Sequence, residues 1–249
     1  MGIQPIQVLR AAQRGGVAAA PARPRLLIAG ATGALGNEVL RRLAGSTAFD
    51  FTQVLTREPV TAALRGVLAT QVPSESPQTW HPGAADVAVV LFDPPRTFYD
   101  RERALWTPQP EQLPALAGWL RASGVTTLAV VLPHAPGRLP EALQRGLASL
   151  DEQAVTSLGF ERILFLRCAR HELPVPHRPL PSRVAHAMLG VLKYMVPPSQ
   201  QPVRARQVAE LLALALQQAP PGIHIAAPEL VWRAAHGVMP DVARQWLRP

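Results

Sequence analysis

Gly30, Gly33 and Gly36 recur every third position in the stretch Leu26-Leu27-Ile28-Ala29-Gly30-Ala31-Thr32-Gly33-Ala34-Leu35-Gly36. The apolar run before them reads as a strand buried on both faces, and Asn37 to Leu43, with Val39, Leu40 and Leu43 on one side, reads as a helix. A glycine at the strand end permits a tight turn, a second lets backbone N–H groups approach an anion, and a third lets the helix pack closely. The helix N-terminus then attracts negative charge. The chemistry expected of Gly30, Ala31, Thr32, Gly33, Ala34, Leu35 and Gly36 is therefore capture of a dinucleotide's pyrophosphate, the alternative being a strand-to-helix turn without a ligand.

Other residues with chemical potential lie at predicted strand ends. Arg57 follows Gly36 by 21 positions, at the end of the second predicted strand. A guanidinium there forks onto a 2′-phosphate, which favours NADP over NAD, although Glu58 follows directly and Arg57 also reads as an ordinary exposed arginine. Phe92-Asp93 ends a later strand, where Asp93 either lines a cofactor site or caps the loop Pro94-Pro95. Tyr99, Arg96 and Arg101 are further candidates to meet a ligand, whereas Arg101, Glu102 and Arg103 together read as a solvated face. Cys168, flanked by Arg167, Arg170 and His171, is either a thiol of lowered pKa open to oxidation or an inert core cysteine. His171 and His177 have no carboxylate cluster beside them, so no metal site is expected.

The elements that must hold these residues alternate. Strands are predicted over Phe51 to Leu55, Asp86 to Phe92, Thr126 to Leu132 and Arg162 to Arg167, with helices over Pro110 to Ala122 and Pro140 to Leu158. Beyond them come helices at Ser182 to Lys193 and Arg204 to Gln218, a strand at Gly222 to Ala226 and a final helix from Pro228. Strands separated by helices of this length predict an α/β fold, a doubly wound parallel sheet with helices on both faces and a small C-terminal extension. Residues 25–249 are expected to form that domain. Residues 1–24, with Arg10, Arg14 and Arg23 and no acid, read as an N-terminal arm or, alternatively, as an organelle transit peptide.

Composition narrows the class. The 249 residues carry 25 basic and 17 acidic side chains, a net charge of +8, and 48% are hydrophobic, enough to exclude a disordered charged chain. The pI of about 11.2 overstates the basicity, because all but one of the cations are arginines. Proline, at 27 of 249, predicts many rigid loops. A lone cysteine excludes an internal disulfide and points to a reducing, cytoplasmic setting. The longest nearly apolar run, Val208 to Leu216, falls short of the roughly 20 residues of a membrane helix. Scattered arginines without an aromatic-rich basic strand argue against nucleic acid.

Gly30-Ala31-Thr32-Gly33-Ala34-Leu35-Gly36, with its Gly-x-x-Gly-x-x-Gly spacing, resembles the short-chain dehydrogenase/reductase superfamily and its extended, atypical NmrA-like branch. Thr56-Arg57, Ala122-Ser123-Gly124-Val125, Ser157-Leu158-Gly159-Phe160, Leu166-Arg167 and the stretch from Gln201 to Ala209 extend the resemblance over about residues 25 to 230. The resemblance implies a Rossmann fold, a nicotinamide dinucleotide cofactor and, in active members, a tyrosine, a lysine four residues later and a serine. It also implies dimerisation through the helices at 110–122 and 140–158, and an acidic residue followed by an aliphatic one where this chain has Leu68 to Ser76. That last pattern is missing here.

The catalytic set departs from the family. Tyr99 is followed four positions later by Arg103 and Tyr194 by Pro198, and Lys193 is the only lysine, so no Tyr-x-x-x-Lys exists. The family register puts the tyrosine's place near Gln144, the lysine's near Ala148, and the serine's at Leu132 or Pro133. His134 is the best replacement acid, since imidazole titrates near neutrality, with capping of the Pro133 to Pro136 loop as its alternative role. Tyr99 is the second candidate. The expectation is a dinucleotide-binding regulator or sensor that acts through a protein partner or a homodimer. The alternative is an NADP-dependent oxidoreductase with non-standard acid/base groups.

Overall fold

The computed structural model describes residues 23–60, 66–96, 99–134, 150–169 and 202–248. Seven strands form one sheet: β1 (Leu26–Ala29), β2 (Thr52–Thr56), β3 (Val67–Gln71), β4 (Val87–Leu91), β5 (Thr127–His134), β6 (Arg162–Ala169) and β7 (Gly222–Ala226). Their order is β3-β2-β1-β4-β5-β6-β7, and every neighbouring pair is parallel. The order reverses between β1 and β4, which is the switch point where a doubly wound Rossmann sheet opens a crevice beyond its strand ends.

Strand alternation produces two cores. Leu26, Ile28, Val54, Val89, Leu91, Ala129, Val131, Leu164 and Leu166 point to one face. There they meet α1 (Gly33–Ala44) through Val39, Leu40 and Leu43, and α5 (Ala205–Gln218) through Val208, Leu211 and Leu212. Leu27, Ala29, Leu55, Ala88, Val90, Leu128, Val130, Ile163 and Phe165 point to the other. They meet α3 (Leu113–Ala122) through Leu116 and Leu120, and α4 (Leu150–Thr156) through Val155. A side-chain period of two, with both faces covered, explains why β1 reads as an unbroken apolar run.

Several boundaries differ from expectation. The first helix begins at Gly33, not Asn37, so two of the three glycines lie within its first turns. The helix expected from Pro110 starts as a 3₁₀ turn, Pro110–Gln112. The single helix expected from Pro228 is two, α6 (Pro228–His236) and α7 (Met239–Trp246), separated at Gly237. One turn of helix, α2 (Asp100–Arg103), precedes α3. The arm's residues 1–22, the helix Ser182 to Lys193, Tyr194, Gln144, Ala148, Arg170, His171 and His177 lie outside the described residues. No helix among the described residues is long and apolar enough to cross a membrane.

Candidate functional site

The glycine loop leaves the carboxyl end of β1 at the switch point. Gly30 has φ +81°, and a Cβ there would lie 2.0 Å from the Leu91 carbonyl oxygen of β4. Gly33 has φ +69°, and its Cβ would meet Asp93 Cβ at 2.8 Å. At Gly36 a Cβ would lie 2.6 Å from the Ala31 carbonyl carbon, which is what lets α1 pack onto the loop that starts it. All three therefore have a steric reason to be glycine, and two need the left-handed region that side chains disfavour.

Two of the N–H groups that such a loop offers to an anion are already engaged by carboxylates. Gly33 N–H donates to Glu102 Oε2 at 2.9 Å, and Leu35 N–H donates to Asp93 Oδ2 at 3.3 Å. Glu102 also accepts from Asn37 Nδ2 at 2.7 Å, from the Arg96 N–H at 2.8 Å and from Arg96 Nε at 2.7 Å, and Arg96 Nη2 completes the ion pair. Its side chain is only 5% exposed. Burial pushes the Glu102 carboxyl upward, but the donors from Arg96 and Gly33 outweigh this and hold it below the usual glutamate range. The expectation that Arg101, Glu102 and Arg103 form a solvated face fails at Glu102. The one-turn helix α2 places Arg101 and Arg103 outward and the glutamate between them inward.

The chain after α2 covers the rest of the crevice. Leu105 forms an antiparallel bridge with Thr56, Arg57 N–H donates to Ala104 O at 2.7 Å, and Trp106 N–H donates to Leu55 O at 2.9 Å. Gly30 N–H donates to Trp106 O at 3.2 Å. Thr32 Oγ1 contacts Thr107 Oγ1 at 2.9 Å and donates to the Asp93 carbonyl. The Trp106 indole is fully buried, edge-on to Trp80 at 4.9 Å, and donates its ring N–H to Glu75 Oε2 at 3.0 Å.

Arg57 stands at the end of β2, as its position in the sequence predicts. Its guanidinium forks onto Glu75, with Nε at 2.6 Å from Oε1 and Nη2 at 3.3 Å from Oε2. The Arg57 side chain lies beside Glu75 and holds that carboxyl below its ordinary value. A 2′-phosphate at Arg57 would have to replace this carboxylate. Phe92 is buried in the core, and Asp93 turns back to the glycine loop and α1.

Tyr99 is about half exposed, and the Arg96 guanidinium lies 3.8 Å above its ring. His134 ends β5 in register with Ala169 of β6, and Leu132 and Pro133 pair with Arg167 and Cys168. Burial, with a smaller contribution from the Asp93 charge, pushes the Cys168 thiol up to about 12. That direction favours the thiol over the thiolate, opposite to the lowered pKa that basic neighbours would give. Among the described residues no His, Cys, Asp and Glu group is arranged to hold a metal.

Sequence reasoning missed Glu102, Asn37, Glu75 and Trp106 as parts of this site. It also missed a buried ion pair, Arg167 Nη2 to Glu152 Oε2 at 2.8 Å, with side chains 2% and 5% exposed, which ties α4 to β6. None has a local signature, because each partner is supplied by another part of the chain.

No family model matches the chain, and no curated protein does. Among solved structures it is similar to the Bordetella bronchiseptica enzyme WbmH in complex with NAD+, at 12% identity and TM-score 0.45, over 85% of this chain and 80% of that one. It is also similar to uronate dehydrogenase from Agrobacterium tumefaciens, at 16% identity and TM-score 0.46, over 82% and 76%. A Rossmann-fold NAD(P)-binding family protein from Shigella flexneri is similar at 15% identity and TM-score 0.44, over 78% and 87%. Likenesses of this size assign neither ligand nor activity to this chain.

Proposed function

We propose that this protein binds a nicotinamide dinucleotide across the carboxyl ends of β1, β2 and β4 and works as a regulator or sensor of that cofactor, without reducing a substrate. The observation that carries the reading is the glycine loop at the switch point, with two left-handed glycines leading directly into the N-terminus of α1. In an open parallel sheet this is where a diphosphate gains backbone N–H donors and a favourable helix dipole. NADP is preferred over NAD because Arg57, at the end of β2, offers a bidentate guanidinium to the 2′-phosphate once Glu75 yields.

The regulatory half rests on the residue inventory. Proton transfer of the short-chain reductase type needs a tyrosine with a lysine one helical turn away, and this chain has no such pair. The signal then passes through a protein contact, with a second copy or another partner. The chain resembles the atypical, NmrA-like branch in combining this loop with that loss.

Titration with NADPH and NADH, followed by ligand fluorescence and thermal unfolding, tests the reading. At 100 times its dissociation constant a ligand stabilises the fold by about 2.7 kcal/mol, and NADPH is expected to reach this at lower concentration than NADH. NADPH incubated with a panel of quinones and carbonyls is expected to remain reduced. Oxidation abolished by His134→Ala or Tyr99→Phe would overturn the regulatory reading in favour of an unconventional oxidoreductase.

A further inference from the structure

The donors around Glu102 make an anion site before any ligand arrives. Gly33 N–H, Asn37 Nδ2, the Arg96 N–H and the Arg96 guanidinium converge on one carboxylate. That carboxylate is held on a single turn of helix, α2, followed by the short strap Ala104–Thr107, which bonds to the end of β2. Its site at the N-terminus of α1, against the left-handed Gly33, is the one a dinucleotide's diphosphate needs. The strap fills the adjoining space, with Trp106 buried over the ends of β1 and β2.

We infer that Glu102 is an internal stand-in for phosphate, and that a nucleotide diphosphate binds by displacing α2 and its strap, with Arg96 and Asn37 passing from the glutamate to the ligand. This inference rests on the proposed dinucleotide reading of the glycine loop. The exchange conserves the donor count: each N–H that loses a carboxylate oxygen finds a phosphate oxygen, so the donors are not left buried and unpaired. One further group fits the exchange. The Thr56 hydroxyl, fully buried at the strand end bridged by the strap, has no hydrogen-bond partner among the described residues. A closed state that strands a hydroxyl beside the strap is less well satisfied than the core around it. Arg57, whose N–H donates to Ala104 of the strap, likewise has a carboxylate, that of Glu75, already on its guanidinium.

The consequence is a cofactor site with a built-in competitor, so the intact protein binds weakly and opening of the strap is coupled to occupancy. Glu102→Ala and the closer isostere Glu102→Gln, titrated with NADPH and with ADP beside the unaltered protein, test this. Both variants are expected to bind at least tenfold more tightly, and Arg96→Ala introduced into Glu102→Ala is expected to reverse the gain. Hydrogen exchange on the unaltered protein with saturating NADPH supplies a reading independent of the variants' folding. The amide of Trp106 is expected to lose protection, while those of β1 and β4 keep theirs. Equal affinity of all forms with an unchanged Trp106 amide would overturn the displacement while leaving the dinucleotide site standing. Failure of NADPH and ADP to bind any form would overturn the dinucleotide reading itself, and the displacement with it.

Discussion

Gly30 shows how a single residue can be fixed twice, once by its own backbone and once by a neighbour. Its φ of +81° belongs to the region that costs a side chain about 1–2 kcal/mol, and the Leu91 carbonyl oxygen occupies the place of its Cβ. Overpacking a filled site adds about 1–3 kcal/mol. Gly30→Ala is therefore expected to lower stability by about 2–5 kcal/mol, read from urea unfolding, whether or not the loop ever meets a ligand. Gly66, also left-handed, has nothing near its missing Cβ among the described residues, so its replacement is expected to carry mainly the backbone cost. Glu102 is the converse case. Its sequence neighbours Arg101 and Arg103 are charged and exposed, and it is contacts with Arg96, Gly33 and Asn37, the last two 69 and 65 positions away, that make it a buried anion.

Elements carry constraints that no single residue displays. Helix α4 is held to β6 by Val155 in the core and by the ion pair between Glu152 and Arg167. Two charges this deeply buried contribute little net stability as a pair, yet breaking such a pair by removing one partner costs about 3–5 kcal/mol. Glu152→Ala and Arg167→Met are each expected to destabilise by that order in urea unfolding, and the double variant by less than the sum of the two. Additive losses would show that the pair is not coupled. Among the elements, those with strong periodicity were legible in the sequence. Strand β7 matches its expected limits at both ends, and β5 and β6 begin within one residue of expectation. Helix α2 was not legible. One turn has too few residues to show a period, and its position is set by Arg96, Gly33 and Asn37.

At the scale of the molecule, carboxylates stitch the loops at both ends of the sheet. Arg25 grips Asp86 through its N–H at 2.8 Å and through its guanidinium at 3.0 Å, ahead of β1 and β4. Glu75 and Glu102 hold the opposite, carboxyl ends. Asp86 and Glu75 lie below their ordinary values chiefly because of hydrogen bonds from Arg25 and Arg57, and Glu102 lies below because its donors outweigh its burial. A carboxyl whose folded pKa is depressed adds stability that is complete above its unfolded value, about 3.9–4.3, and is lost as pH falls through the folded value. The urea midpoint is therefore expected to hold from pH 7 to about pH 5 and to fall below pH 4. Glu102→Gln should flatten part of that fall, and an unchanged acid limb would remove Glu102 from the account.

The alternation of strands and helices, the burial of β1 on both faces and the glycine loop were readable from the chain alone, because each follows from local periodicity or from a glycine's missing side chain. The absence of a Tyr-x-x-x-Lys pair is likewise a property of the sequence. The parallel pairing of the strands followed from alternation plus the rule that crossovers bring parallel strands together, whereas strand β3 and the order β3-β2-β1-β4-β5-β6-β7 came from the structure. Only the tertiary structure decided what fills the crevice that this order creates. Glu102 on Gly33, Glu75 on Arg57 and Trp106 over the strand ends are contacts between residues 18 to 76 positions apart. Such contacts depend on where the folded chain returns, which residue type and spacing do not encode.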